Sequence, residues 1–219
     1  MISNKFAALA VYAILCCLSV SGGHNSKNES EIKTLVLFDS DDLKLPITHS
    51  QFFHGLTLRG HKLVFARADD SALALTSYGE FLYDNLIIFS PRAEDFGGTI
   101  DVQTILEFID EGKNVLIAAT SDSSDIIREL VNECGFLLPN DDVILTNHFV
   151  HHPTLDDGNQ TTFVSDNFIG PEVILNPEPS AGVIYRGWPI APAPSNPLVL
   201  PVLRAPPGTH AGKGRRAHL

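Results

Sequence analysis

The chain has 219 residues, 44% of them hydrophobic and 19% charged, which is enough to bury one sizeable core. Acidic residues outnumber basic ones 26 to 15, for a formal net charge of −11. A surface of that sign repels phosphate backbones and excludes nucleic-acid binding as a first reading. Of the three cysteines, Cys16 and Cys17 lie in an apolar leader, so Cys134 is alone in the body and an internal disulfide framework is excluded.

Residues 1–23 have the layout of a secretory signal peptide: Lys5, an apolar core over 6–18, then Ser19, Ser21, Gly22 and Gly23. The core is shorter than the ~20 residues a membrane span needs. The expected consequence is entry into the secretory pathway and removal of the leader near Gly23. In that compartment Asn28-Glu29-Ser30 and Asn159-Gln160-Thr161 are acceptor sequons, which makes Asn28 and Asn159 candidate glycosylation sites.

In chain order, TLVLF over 34–38 reads as a first strand, closed by Asp39-Ser40-Asp41-Asp42. Pro46 suits the first turn of a helix through residue 58. Ile47, Phe52, Phe53, Leu56 and Leu58 would supply its apolar face and Gly60 its stop. Residues 62–66 give a second strand, and 71–77 a short segment read as helical. The stretch GEFLYDNLIIFSPRAEDFGG, 79–98, centres on Leu86, Ile87, Ile88 and Phe89. Four consecutive apolar residues without a polar alternate are the pattern of a parallel strand covered on both faces. Gly79, Tyr83, Asp84, Asn85, Pro91, Asp95, Phe96, Gly97 and Gly98 are the residues expected to shape that strand and its exit loop.

A helix over 99–111 stops at Gly112, and 114–119 forms a fourth strand. A helix over 125–134 ends at Gly135, which places Cys134 at its buried end, and 143–146 reads as a fifth strand. Strands separated by single helices imply right-handed crossovers. The fold class is therefore α/β, an open doubly wound mostly parallel sheet of flavodoxin-like or amidotransferase-like type over residues 32–150. From 151 to 203 the pattern breaks into β-like pieces at 161–164, 173–175, 182–185 and 198–203, an incomplete β-rich region. Residues 204–219, RAPPGTHAGKGRRAHL, lack a hydrophobic period and read as a disordered basic tail.

In a doubly wound sheet the chemistry belongs in the loops after the strands. The first loop, DSDDLKLPITHS, has three carboxylates and no glycine, so it suits neither a nucleotide nor a flavin phosphate. A receiver domain would need an Asp where Ser90 stands, and Cys134 ends a helix rather than occupying a nucleophile elbow. Asp39-Ser40-Asp41 matches an Asp-x-Asp cation motif, read first as a solvated acidic turn. His148, His151 and His152 lack a carboxylate or Cys at ligand spacing and are likewise read as a solvated loop.

The ordered blocks TLVLFDSDDLKLPITHSQFFHGLTLRGHKLVFARADD, GEFLYDNLIIFSPRAEDFGG, NVLIAATSD and RELVNECGF, with a looser match in NPLVLPVL, resemble the amino-terminal luminal domain of the forty-eight-kilodalton subunit of oligosaccharyltransferase. The resemblance implies a non-catalytic subunit of a complex in the endoplasmic reticulum. That complex moves a preassembled glycan from dolichyl diphosphate to Asn in Asn-x-Ser/Thr sequons, and this subunit supports its assembly and stability. The other oligosaccharyltransferase subunits would be its partners, and membrane association would come through the complex. No catalytic residue, cofactor or metal is expected in this chain. Family members continue into further luminal β structure and a transmembrane helix, so the expectation is a carboxyl-terminally truncated product that departs from the family after Leu203. The alternatives are a stand-alone luminal metal-dependent glycan-processing or sugar-binding protein using Asp39, Asp41 and Asp42, or an inert truncated product.

Overall fold

The computed structural model describes residues 11–14, 31–39, 42, 44–139, 143–169, 182–192, 196 and 198–213. The described residues divide into two compact units, one within 11–119 and 123–130, the other of 120–122 with those from 131 onward.

In the first unit a five-stranded sheet is built from β1 (Val11–Ile14), β2 (Ile32–Phe38), β3 (His61–Arg67), β6 (Asn85–Phe89) and β7 (Asn114–Ala118), in the order β1-β7-β6-β2-β3. Between β3 and β6 lies the hairpin of β4 (Thr76–Ser77) and β5 (Glu80–Phe81). Strands β3, β2, β6 and β7 are mutually parallel. The fold is thus the expected mixed α/β one with a mostly parallel sheet.

Strands β2 and β6 are central. Leu35, Val36 and Leu37 are at most 1% exposed and Leu86 to Phe89 at most 5%, so neither strand has a wet face. This is why both read as unbroken apolar runs. From β2 the chain moves through α1 (Leu45–Thr48) and α2 (Ser50–Leu58) to β3 on one side. From β6 it moves through α3 (Val102–Asp110) to β7 on the other. With right-handed crossovers those opposite directions put α1 and α2 on one face and α3 on the other. On the first face Phe53 of α2 packs edge-on to Phe65 of β3 and Phe89 of β6, with ring centroids 4.9 and 5.9 Å apart. Helix α3 begins at Asp101, whose carboxylate accepts from the Thr104 N–H at 2.7 Å, an N-cap bond. Helix α4 (Asp125–Glu133) follows β7.

Several expectations are corrected in this unit. The helix expected from Pro46 to residue 58 is two: the Thr48 hydroxyl bonds back to the carbonyls of Lys44 and Leu45, and His49 leaves helical geometry at φ −112°. Ile47 and Leu58, assigned to its apolar face, are 75% and 74% exposed. Ile47 sits in the separate turn, and five positions from Phe53 rotate Leu58 about 140° away from the core. Residues 71–77 are not helical; 71–75 are turn and irregular chain leading into β4 at 76–77. Tyr78 and Gly79 both have positive φ, 52° and 83°, and form its two-residue loop. Backbone of Val11–Ile14, inside the segment read as a signal, pairs antiparallel with β7; the rest of 1–23 lies outside the described residues.

The second unit holds β8 (Phe136–Leu137), β9 (Val143–Asn147), β10 (Phe163–Ser165), β11 (Val183–Tyr185), β12 (Ala191–Pro192) and β13 (Thr209–Lys213), in two-stranded antiparallel pairs β8·β12, β9·β13 and β10·β11. Residues 143–146, expected as a fifth parallel strand, pair instead with β13. The tail expected to be disordered from 204 supplies that partner. Asn147, fully buried, explains why. Its Nδ2 donates to the Pro207 carbonyl at 3.2 Å and to the Thr209 hydroxyl at 2.8 Å, while its Oδ1 accepts from the N–H groups of Phe149 and Val150. Among the described residues, 198–203 contribute a single bridge, Leu203 to Phe168. Residues 173–175 lie outside the described residues.

Candidate functional site

Strands β2 and β6 are neighbours whose onward connections run in opposite directions, so a crevice opens past their carboxyl ends. The backbone fixes its walls. The Ala68 N–H donates to the Phe38 carbonyl at 2.9 Å, and the Gly97 N–H donates to the Ala68 carbonyl at 2.7 Å. Three strand-end loops are thereby stitched together. A cleft of about 410 Å³ results, lined by Asp39, Ala68, Asp69, Arg92, Ala93, Glu94 and Asp95.

Arg92 is held from behind. The Ala93 N–H closes a turn onto the Ser90 carbonyl at 3.2 Å, and Ser124 clamps the same loop through its N–H to Pro91 at 2.9 Å and its hydroxyl to Ala93 at 2.5 Å. The guanidinium then stands 3.5 Å from the Asp39 carboxylate, whose side chain is only 12% exposed. Burial pushes the Asp39 pKa up and Asp42 adds to this, while Arg92 opposes it; the net shift is upward. Asp69 is gripped by Arg67 at 2.8 and 3.0 Å, a solvent-exposed pair of small energetic weight. Among the described lining residues Arg92 stands with four carboxylates, Asp39, Asp69, Glu94 and Asp95.

The glycines of the 79–98 stretch act at its rim. Gly97 lies so close to the preceding loop that a Cβ would stand 2.1 Å from the Asp70 carbonyl oxygen. Gly98, at φ +65°, would put one 1.8 Å from that of Leu73. Phe96 is 8% exposed and anchors the segment, Asp95 is exposed in the cleft, and Pro91 is half-buried. At the other end of the sheet, Asp84 accepts from the Lys33 N–H at 3.0 Å and from Lys113 Nζ at 2.9 Å. Burial acts upward on its pKa, but these donors outweigh it and hold it low. Asn85 bonds the Thr34 hydroxyl at 3.0 Å and receives Asn114 at 2.9 Å, and Thr34 meets His61 at 2.9 Å. This polar ladder crosses four strands, β3, β2, β6 and β7. Tyr83, beside it, is half-buried, whereas Gly79 belongs to the β4–β5 hairpin rather than to the strand or its exit.

The remaining candidates are dispersed. Asp41 and Asn28 lie outside the described residues, and Asp42 is half-buried. His152 Nδ1 accepts from the N–H groups of Thr154 and Leu155, His148 meets Gln160 and its ring lies tilted to that of His210 with centroids 5.3 Å apart, and His151 is exposed. Among the described residues no group of three or more His, Cys, Asp or Glu is placed to hold a metal ion. Cys134 is half-buried just past α4. Asn159 is exposed. Arg92, Glu94 and the Ser124 clamp were missed by the sequence reading. For Arg92 and Glu94 the signal was proximity to the Pro91 and Asp95 positions already singled out; Ser124, 31 residues from Ala93, had none.

A family model described as OST48, N-terminal domain, matches residues 25–215. That match runs past Leu203, where departure from the family was expected. Similar curated proteins carry the name dolichyl-diphosphooligosaccharide–protein glycosyltransferase 48 kDa subunit. One from Drosophila melanogaster is 39% identical over 92% of this chain and 44% of its own length. One from Danio rerio is 44% identical over 78% and 38%, and one from Arabidopsis thaliana 37% over 95% and 48%. The chain spans less than half the length of these relatives.

Proposed function

The chain belongs to the OST48 N-terminal domain family, and from that premise we propose that it is a non-catalytic subunit, or subunit portion, of the oligosaccharyltransferase. In this reading the complex passes a preassembled glycan from dolichyl diphosphate to the Asn of a sequon, and this chain contributes to its assembly and stability. It does so on the luminal side of the endoplasmic reticulum, bound to the other subunits and through them to the membrane. The family match over 25–215 carries the reading.

The geometry is in keeping with it. The cleft offers carboxylates, a guanidinium and loop backbone, groups suited to holding a polar surface. Among the described residues no helix is long and apolar enough to cross a membrane. The second reading, cation-dependent sugar binding through Asp39, Asp41 and Asp42, is disfavoured by Arg92, whose charge stands 3.5 Å from Asp39 where a cation would sit.

The test is a mild-detergent native pull-down of the tagged chain from microsomes, with co-purifying proteins identified and glycosyl transfer to a sequon peptide assayed. Recovery with other oligosaccharyltransferase subunits and with activity supports the proposal. Recovery of the chain alone, soluble and without transfer, overturns it.

A further inference from the structure

The segment between β9 and β10 carries the Asn159-Gln160-Thr161 sequon, and its folded form treats the two ends of that sequon in opposite ways. The Asp156 carboxylate accepts the N–H groups of Gly158, Gln160, Thr161 and Thr162 at 2.8, 2.9, 2.8 and 2.8 Å. Positive φ at Gly158 and Gln160, 91° and 60°, winds the chain around it. Asn159 is left exposed on the outside, whereas Thr161 is 8% exposed. Its hydroxyl is buried and meets no hydrogen-bond partner among the described residues.

A buried hydroxyl without a partner contributes nothing to the fold and weakens it. Valine would fill the same space without that penalty. The hydroxyl does have a use in acceptor chemistry, because a sequon is defined by the Asn together with the hydroxyl two residues on. We propose that Asn159 is a glycan acceptor, modified while the 156–162 loop is still unfolded; this rests on the luminal reading above. In the transfer, the Asn159 amide nitrogen bonds to the anomeric carbon of a lipid diphosphate-linked oligosaccharide and gives up a proton to a base. The carbon–oxygen bond to the diphosphate breaks, and the lipid diphosphate leaves with the electron pair. Folding of the loop then buries Thr161 and keeps the glycosylated Asn159 on the surface.

The test is synthesis of the full chain with microsomes in an Asn28→Gln background, followed by protease protection and endoglycosidase digestion. The expected result is a protected chain that loses one glycan on digestion. Asn159→Gln and Thr161→Val abolish that step and Thr161→Ser retains it, while Thr161→Val melts no lower than the parent when both are unglycosylated. Purified folded chain, offered to the same membranes after solubilisation, stays unmodified. A protected chain without a glycan, or a glycan that survives Thr161→Val, overturns the assignment while leaving subunit membership standing. Modification of the folded chain overturns the order of events. A chain that is not protected overturns the luminal reading and this inference with it.

Discussion

Replacing Gly98 by alanine tests how the cleft rim is built. At φ +65° an alanine pays a conformational cost of about 1 kcal/mol. Its Cβ would also stand 1.8 Å from the Leu73 carbonyl oxygen, and backbone cannot rotate aside as a side chain does. Relief requires the 96–99 segment to lift, which strains two hydrogen bonds, Gly97 N–H to Ala68 at 2.7 Å and Thr99 N–H to Leu73 at 3.0 Å. At a net value of about 1 kcal/mol each, the total comes to about 3 kcal/mol. That is roughly a hundredfold loss in the folded-to-unfolded ratio, or a Tm lower by about 6–12 °C. Gly79 and Gly112 are internal controls: their φ values are +83° and +77°, but an added Cβ meets nothing within 4 Å. Gly79→Ala and Gly112→Ala should cost only the conformational term, about 1 kcal/mol. Urea unfolding of the three variants side by side measures the difference. Equal losses at all three positions would refute the close-approach argument.

Asp39 has a raised pKa, so its protonated form is favoured by folding and its contribution is lost as pH rises through the folded value. Asp39→Asn should therefore hold or gain stability at pH 7 and flatten the pH dependence of Tm above about 4, whereas Arg92→Ala should move the Asp39 carboxyl resonance to titrate at still higher pH. Asp84 is held low, so its contribution is present above the ordinary carboxylate range and is lost as pH falls through the folded value. Asp84→Asn should blunt that acid limb by less than about 1 kcal/mol, because the Lys113 pair is half-exposed. Asn147→Ala removes the acceptor for two N–H groups and the donor for two oxygens, at a cost of about 2–4 kcal/mol. Limited trypsinolysis should then cut faster at Arg204, and an unchanged rate would count against Asn147 as the clasp of the tail.

The parts of the fold legible in the sequence were those with a local physical cause. Leu86 to Phe89 and residues 35–37 are continuous apolar runs because both faces are covered. Gly60, Gly112 and Gly135 marked helix ends because each has positive φ, 87°, 77° and 86°. What periodicity omits is the identity of a strand's partner. Residues 143–146 read as a strand and are one, but nothing local specified β13 rather than the parallel sheet. The hairpin at 76–81 was illegible for another reason: two-residue strands carry no period, and the Tyr78-Gly79 turn was its only trace. At the cleft, Asp39 and Asp95 could be named from their strand-end positions. Arg92 acquired its role only through Ser124, which reaches its loop from a distance of 31 residues.

The β9·β13 ladder has a consequence for the chain as it is made. Asn147 and Thr209 are 62 residues apart, so β9 leaves the ribosome well before the strand that completes it. At roughly 5–20 residues per second that interval is about 3–12 s. The strands of the parallel sheet, by contrast, are all made once β7 is, and the last segment of that unit ends at residue 130. During the wait, the 156–162 loop stands between a strand without its partner and a partner not yet synthesised, a vectorial delay written into the topology.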